Sequence, residues 1–306
     1  MNYGVGRVIG CRNWSQLRRP MDGAKFHMAH NQDWWIEGFW ANWVELEKYK
    51  FFNDTNDDIE AWGAYAHVDQ KSGLPFNLET YVLGTDKLNT AIGDDRRATV
   101  GGRIFGGIEG LSLCYDIEGG YQFDYSGDAN VSAGFFAIES SYTFKTVKTT
   151  PWITTGFDWA SGDSDPTDDK IKTYEGVSPY GHYYFGYMDE FGRQNLISPW
   201  VSLGCKPIKK LTTTVSGHWF WADESEDAIY SPCNCTKILR TGGEDVNDYI
   251  GFEVDVYAKY KFSHHLIGVA GYSYLWSGSY VDETAASNGG AADNIQRVVA
   301  QLQFTF

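Results

Sequence analysis

The chain of 306 residues carries 25 Lys and Arg against 40 Asp and Glu, a formal net charge of −15, which excludes the basic surface that non-specific nucleic-acid binding needs. It is rich in aromatics (12 Trp, 20 Tyr, 18 Phe) and Gly (34), yet no run approaches the roughly 18 apolar residues of a spanning helix. Its five cysteines, Cys11, Cys114, Cys205, Cys233 and Cys235, are odd in number and scattered, so they form no disulfide framework, and Cys233 and Cys235 lack the second pair a zinc site needs.

Met1-Asn2-Tyr3-Gly4 has neither a basic n-region nor an apolar h-region, so no signal peptide is expected in the chain as given. From residue 21 onward, alternation with a period of two recurs and helical periodicity does not. It predicts strands near residues 21–29, 33–43, 58–68, 75–83, 96–106, 111–124, 131–144, 151–160, 196–206, 210–221, 249–262, 266–276 and 294–306. In the sixth of these, Leu111, Leu113, Tyr115, Ile117, Tyr121 and Phe123 share one face, and Cys114, Asp116, Glu118 and Gln122 share the other. Between residues 250 and 262, Ile250, Phe252, Val254, Val256, Ala258, Tyr260 and Phe262 oppose Glu253, Asp255, Tyr257, Lys259 and Lys261. Successive side chains of a strand point to opposite sides, so each segment has an apolar wall and a wet one.

Both segments exceed the usual strand and match the roughly 9–11 residues that cross a bilayer at a tilt. Trp159, Trp219, Trp221, Tyr272, Tyr274 and Trp276 stand near strand ends, as an interfacial girdle requires. Short connections (30–32, 69–74, 107–110, 145–150, 207–209, 263–265) alternate with longer, mostly acidic ones (45–57, 84–95, 161–195, 222–248, 277–293), with 125–130 long only by comparison. Short periplasmic turns and long external loops are the wiring of outer-membrane barrels. The last segment ends on Phe306, a familiar closing-strand feature of such proteins. Counting back about thirteen strands from a periplasmic end starts the first one outside the cell. Even strand numbers then require an odd number of strands before residue 21.

Gly181-His182-Tyr183-Tyr184-Phe185-Gly186-Tyr187-Met188-Asp189-Glu190-Phe191-Gly192-Arg193-Gln194-Asn195 resembles a stretch of the alginate-export family of outer-membrane proteins. Similar to the same family are Gly156-Phe157-Asp158-Trp159-Ala160-Ser161-Gly162-Asp163, Asp165-Pro166-Thr167-Asp168, Lys206-Pro207, Lys209-Lys210-Leu211 and His218-Trp219-Phe220-Trp221-Ala222. Near the start, Arg7-Val8-Ile9-Gly10, Asn13-Trp14-Ser15 and Asp22-Gly23-Ala24 also fit. The resemblance implies an all-β, antiparallel transmembrane β-barrel of about eighteen strands, about thirteen of them present. The whole of 1–306 would be a single barrel domain, truncated at its N-terminus and located in the bacterial outer membrane. It also implies an anionic uronate polymer as cargo.

Charges on a lipid face cost several kcal/mol at mid-membrane, so those on the polar faces are assigned to the lumen. The expected channel-lining residues are Lys25, Arg97, Arg103, Asp116, Glu118, Glu253, Asp255, Lys259, Lys261 and Arg297, with Glu37, Glu79, Glu139 and Asp158 on the same faces. So mixed a lining is a poor conduit for a polyanion. His182, Tyr183, Tyr184, Tyr187, Asp189 and Arg193 in the long loop 161–195 are expected at a constriction or at the mouth.

Other chemistry is weakly signalled. Gly4-Val5-Gly6-Arg7-Val8-Ile9-Gly10 has the wrong last spacing for a dinucleotide fingerprint and no helix pattern after it. Asp116 and Glu118 share a face as glycosidase carboxylates would, but on a wide wall they read as lining charges. Asp163, Asp165, Asp168 and Asp169 miss the EF-hand spacing and read as a solvated acidic loop, with Ca²⁺ as the alternative.

These features predict a channel that is not an enzyme and has no cofactor and no metal, passing an anionic or sugar-like solute passively. Its expected partners are the bilayer and outer-membrane lipids, the barrel-assembly machinery, and an anionic polysaccharide or small sugar-like solute, with no nucleic acid, and it is expected to be a monomer. The alternative is a structural or adhesive outer-membrane barrel with ligand-binding extracellular loops.

Overall fold

A computed structural model describes residues 1–10, 20–45, 54–90, 93–128, 130–232 and 237–305. Cys11, Cys233, Cys235, Asn13-Trp14-Ser15 and Phe306 lie outside the described residues. Its elements in chain order are β1 (Met21–His30), β2 (Trp34–Glu45), β3 (Asp54–Val68), β4 (Asn77–Thr90), β5 (Gly93–Gly107), β6 (Leu113–Asp124), β7 (Asn130–Thr143) and β8 (Trp152–Ala160). They continue with β9 (Lys170–Ile171), β10 (Leu196–Ile208), β11 (Leu211–Trp221), β12 (Ile229–Tyr230), β13 (Ile238–Arg240), β14 (Tyr249–Lys261), β15 (Leu266–Ser277), a short helix α1 (Ser279–Glu283) and β16 (Ile295–Phe304). Each segment expected from the alternation corresponds to one long strand, and the fold is all-β and antiparallel. No helix among the described residues is long and apolar enough to cross a membrane, a statement that leaves crossing by strands open.

The chain divides into two compact units. The first comprises Met1–Gly106, Ile117–Phe136 and Asp165–Tyr180. In it β1 to β5 pair antiparallel, each with its sequence neighbour. The short β9 joins β7 in parallel through Asn130↔Lys170 and Val131↔Ile171. The second unit comprises Gly107–Asp116, Ala137–Ser164 and Gly181–Phe306. In it β8, β10, β11, β14, β15 and β16 pair antiparallel in that order. β6 and β7 contribute residues to both.

Two connections differ from expectation. The loop expected at 84–95 is mostly strand: β4 and β5 stay paired out to Lys87↔Asp95 and Thr90↔Gly93. Residues 54–57, expected in a loop, begin β3. Hydrophobic alternation lapses in both stretches, but backbone pairing needs only a partner strand, and polar side chains there satisfy one another across it. The long acidic loops also hold β9, β12, β13 and α1, elements too short to carry a period.

Burial is inverted relative to a soluble sheet. On β14 the polar face is the covered one, with Glu253 and Asp255 at 0% and 1% exposure, while Val256 on the apolar face is 48% exposed. Val256 is registered between the exposed Val215 and Tyr272. In the first unit Arg97, Arg103 and Glu118 are buried, while Trp40, Val100 and Tyr121 are exposed. Contiguous exposed apolar surface over buried charge is how a strand wall sits in lipid. Aromatics extend it across strands: Trp219 meets Phe252 at 4.6 Å, Phe252 stacks on Trp276 at 5.6 Å, and Tyr274 meets Trp276 at 4.5 Å.

β14 departs from simple alternation near its start. A bulge opposite Phe220/Trp221 sets Gly251 at φ +154° and leaves Ile250 outside the ladder. Ile250, expected on the apolar wall, is thereby turned to the covered face and is 1% exposed.

The inverted faces predict a result that depends on solvent. Val256→Lys is expected to cost about 2–4 kcal/mol if this wall faces mid-bilayer and close to nothing if it faces water. Urea unfolding from lipid vesicles measures it, and an unchanged midpoint would assign the wall to water.

Candidate functional site

The first unit gathers its charges into pairs on the covered face. Glu79 on β4 accepts from Arg103 Nη1 (2.7 Å) and from the Tyr65 hydroxyl (2.8 Å), with His67 Nδ1 at 3.1 Å. Glu118 on β6 takes Arg7 Nη1 (3.2 Å) and the Tyr81 hydroxyl (3.1 Å). Arg97 grips Asp95 with both Nε (2.7 Å) and Nη2 (2.6 Å), the fork geometry that suits a carboxylate. Lys87 Nζ lies 2.5 Å from Glu175, whose backbone N–H donates to Gln122. Lys25 is exposed and pairs with Glu37 at 2.9 Å. Trp35, Tyr65 and Tyr81 make a near-parallel row of rings, with centroids 5.6 and 5.2 Å apart, and Tyr3 stacks on Tyr65 at 4.6 Å.

The second unit is different: its covered carboxylates outnumber its cations, and the backbone of residues 181–195 helps to satisfy them. The Met188 N–H donates to Glu253 Oε1 (3.0 Å), and the Tyr187 N–H donates to Asp255 Oδ2 (3.3 Å). The Ser273 hydroxyl donates to Asp255 Oδ1 at 2.5 Å. Gly186 has φ +83°, and a Cβ there would lie 2.3 Å from Glu253 Oε1, so the approach requires glycine. Side chains of the segment fill the same face: Tyr187 stacks on Tyr257 (4.3 Å), Phe191 packs on Phe220 (4.4 Å), and Tyr183 meets Trp200 edge-on (5.1 Å). Burial pushes the Tyr183 hydroxyl well above its ordinary value. Arg193, 1% exposed, donates to Asp158 at 2.5 Å with its guanidinium 4.7 Å from the Phe185 ring.

The expected constriction residues thus lie together against the polar faces of β8, β10, β11 and β14. His182 pairs with Asp189 at 2.8 Å, and Tyr184, 3% exposed, offers its carbonyl to His218 Nδ1 (3.1 Å). Arg297 on β16 donates to the Met188 carbonyl at 2.5 Å. Of the expected lining residues, Arg97, Arg103, Glu118, Glu253 and Asp255 are buried in these networks. Asp116 is half-buried, while Lys259 and Lys261 stand exposed at the end of β14 and take no part in the segment's contacts. Sequence reasoning missed Asp95, Arg7, Glu175 and His218. Asp95 was recoverable, since it lies two residues before Arg97 and so shares its face, whereas Arg7 and Glu175 sit in loops with no period to place them. Among the described residues no group of three His, Cys, Asp or Glu side chains is arranged to hold a metal ion.

Glu190 titrates in this segment. Burial pushes its carboxyl above the ordinary range; Arg297 offsets the rise and Asp189 adds to it. A carboxyl raised in the folded state binds its proton more tightly there than in the unfolded chain. Its stabilising contribution is therefore greatest at low pH and is lost as pH rises from the ordinary carboxylate value through the raised one. Residues 181–195 are expected to lose hydrogen-exchange protection across that window, and Glu190→Gln to flatten the response. Protection that is equally pH-dependent in the Gln variant would assign the effect elsewhere.

A solved structure and a family profile are similar to this chain. No curated protein sequence matches the chain. The crystal structure of OccK11 (OpdR) of Pseudomonas aeruginosa is similar in fold, with a TM-score of 0.61 at 11% identity, over 98% of this chain and 74% of that one. The NanC porin structure aligns over 94% of this chain and 100% of that one, with a TM-score of 0.36 at 9% identity. The profile of the alginate export family matches residues 1–293. With that match spanning nearly every strand described above, the chain belongs to the alginate export family of outer-membrane proteins.

Proposed function

We propose that the protein is a passive outer-membrane channel whose charged polar faces line the lumen and whose residues 181–195 form the constriction. The observation that carries this reading is the placement of that segment: its backbone and aromatic side chains dock on buried charges, while the opposite sheet faces present apolar residues. Water-filled pores select by lining charge and by constriction, and both devices are available here. Family membership favours an anionic or sugar-like solute. The paired charges of the first unit and the excess acids of the second argue for a small solute over a long polyanion. Outer-membrane lipids would cover the apolar faces, and the barrel-assembly machinery would insert the chain, which acts as a monomer in this reading.

Single-channel conductance of the full chain in a planar bilayer, with uronate oligomers added on one side, tests the proposal. Steady openings blocked by the oligomers are expected for a uronate-like solute. Openings indifferent to them would keep the channel and discard that solute. A folded, heat-modifiable protein without openings would overturn the channel in favour of an adhesive barrel that binds through its external loops.

A further inference from the structure

Apart from the polar-face networks, the second unit contains a cavity of about 370 Å³, within the range of roughly 300–1,000 Å³ common to small-ligand sites. Its wall is mostly apolar, with Phe191, Ile250, Leu275 and Val281 on it. Ile250 is there because the bulge at Gly251 turns it off the apolar wall. Two groups of opposite charge, Glu190 and Arg240, also line the cavity, with the exposed Asp293 at its edge.

Both groups have unspent bonding capacity. Arg240 Nη1 donates to the Val281 carbonyl (3.0 Å) and to Thr284 Oγ1 (3.0 Å), and Nη2 donates to the Ala291 carbonyl. These contacts fix the guanidinium on neutral acceptors and leave Nε–H and one Nη2 hydrogen without an acceptor among the described residues. No carboxylate there lies within ion-pair distance of it. Glu190 likewise accepts no hydrogen bond from any described residue. An apolar cavity with a half-buried acid and a half-buried base on its wall, each with hydrogen-bonding capacity left over, matches a ligand that brings both complements and an apolar body.

We propose that this cavity binds a small zwitterion with an apolar body, an apolar amino acid or dipeptide. The carboxylate would sit on the free Nε–H and Nη2–H of Arg240, the ammonium on Glu190, and the body against Ile250, Leu275 and Phe191. Glu190 and Arg240 are both half-buried, and a site that hydrogen-bonds both ends of a ligand favours it over an analogue that carries only one of the two charges. The proposal goes beyond channel function, since binding is measured without any current.

Calorimetric titration of the full chain in lipid nanodiscs with L-phenylalanine and with leucyl-leucine tests it, with octanoate and octylamine as single-charge probes. Saturable binding of at least one zwitterion is expected, with both single-charge probes weaker by about tenfold or more, which is about 1.4 kcal/mol. Glu190→Gln, which breaks no hydrogen bond of the folded chain, is expected to weaken the zwitterion by a similar factor, as is Arg240→Met. Because Arg240→Met also releases three loop contacts, Ala292→Trp serves as the second blocking variant: it fills the cavity from its rim and touches neither charge. No saturable binding of either zwitterion, octanoate binding as tightly as phenylalanine, or unchanged affinity in Glu190→Gln would each overturn the proposal. Any of these results would leave the channel reading standing.

Discussion

Arg193→Ala is expected to undock residues 181–195 and to raise single-channel conductance. The guanidinium is 1% exposed, its Nη1 lies 2.5 Å from Asp158 Oδ1, and its plane stands 4.7 Å from the Phe185 ring centre. Removing it takes the guanidinium from a carboxylate that is 2% exposed. Breaking a buried pair from one side costs about 3–5 kcal/mol, because the remaining charge keeps its desolvation penalty and loses its partner. The Trp200 indole N–H, which donates to the other Asp158 oxygen at 3.1 Å, cannot replace a full positive charge. A loss of this size is large beside the roughly 0.5–1.5 kcal/mol net worth of each ordinary hydrogen bond that still holds the segment. Arg193→Lys keeps the charge and forfeits the planar contact with Phe185, and is expected to fall between the two. Hydrogen exchange of 181–195 reads the undocking and bilayer recordings read the pore. Wild-type protection together with wild-type conductance in Arg193→Ala would remove the segment from the constriction.

The two units solve the problem of burying charge differently. In the first, each covered carboxylate meets a cation: Glu79 has Arg103, Glu118 has Arg7, and Asp95 has Arg97. In the second, Glu253 and Asp255 accept the backbone N–H groups of Met188 and Tyr187 respectively, and the imidazole Nε2 of His218 lies 3.6 Å from Asp255. A strand pair held by opposite charges is fixed by its own side chains. A carboxylate pair capped by a loop depends on that loop, so the same face is the one best placed to move.

The strands were legible because a two-residue period sustained over a dozen residues is a strong signal, and because one face of each strand must be apolar along its whole length. Parity then assigned Arg97, Arg103, Glu118, Glu253 and Asp255 to one side without any structure. The signal failed where backbone pairing persists without apolar alternation, as at Lys87↔Asp95, and where a bulge resets parity, as at Ile250. It also could not say which charges meet. Arg7 and Glu118 are 111 residues apart, and Lys87 and Glu175 are 88 apart. At least one member of each pair lies outside any periodic segment, so nothing local encodes the pairing. The docking of 181–195 was half legible: its aromatics pointed to a constriction or to the mouth, but its target, the acids of β14, emerged only from the fold.

Glu79→Ala is expected to be the most destabilising single change in the first unit. One carboxylate there, 5% exposed, accepts from Arg103 and from the Tyr65 hydroxyl, and lies within bonding distance of His67. Its loss takes the carboxylate partner from a buried guanidinium and the acceptor from a buried hydroxyl at the same time. The first loss alone falls in the range of about 3–5 kcal/mol for a broken buried pair. The second adds about 1–3 kcal/mol for an unsatisfied polar group. Arg103 stacks over Phe105 with its guanidinium carbon 3.8 Å from the ring centre, a contact that survives the substitution and keeps the cost toward the lower end. Tyr65 is the middle ring of the row from Trp35 to Tyr81, so freeing its hydroxyl also loosens the stack on which Tyr3 rests. Glu79→Gln preserves shape and one acceptor oxygen and is expected to recover the Tyr65 bond while removing the carboxylate charge that faces Arg103. The difference between the two variants in thermal unfolding, followed by heat-modifiable migration on gels, separates the hydroxyl's share from the guanidinium's. If Ala and Gln unfold together at the wild-type temperature, Glu79 is a solvated lining charge and the pairing with Arg103 contributes nothing to the fold.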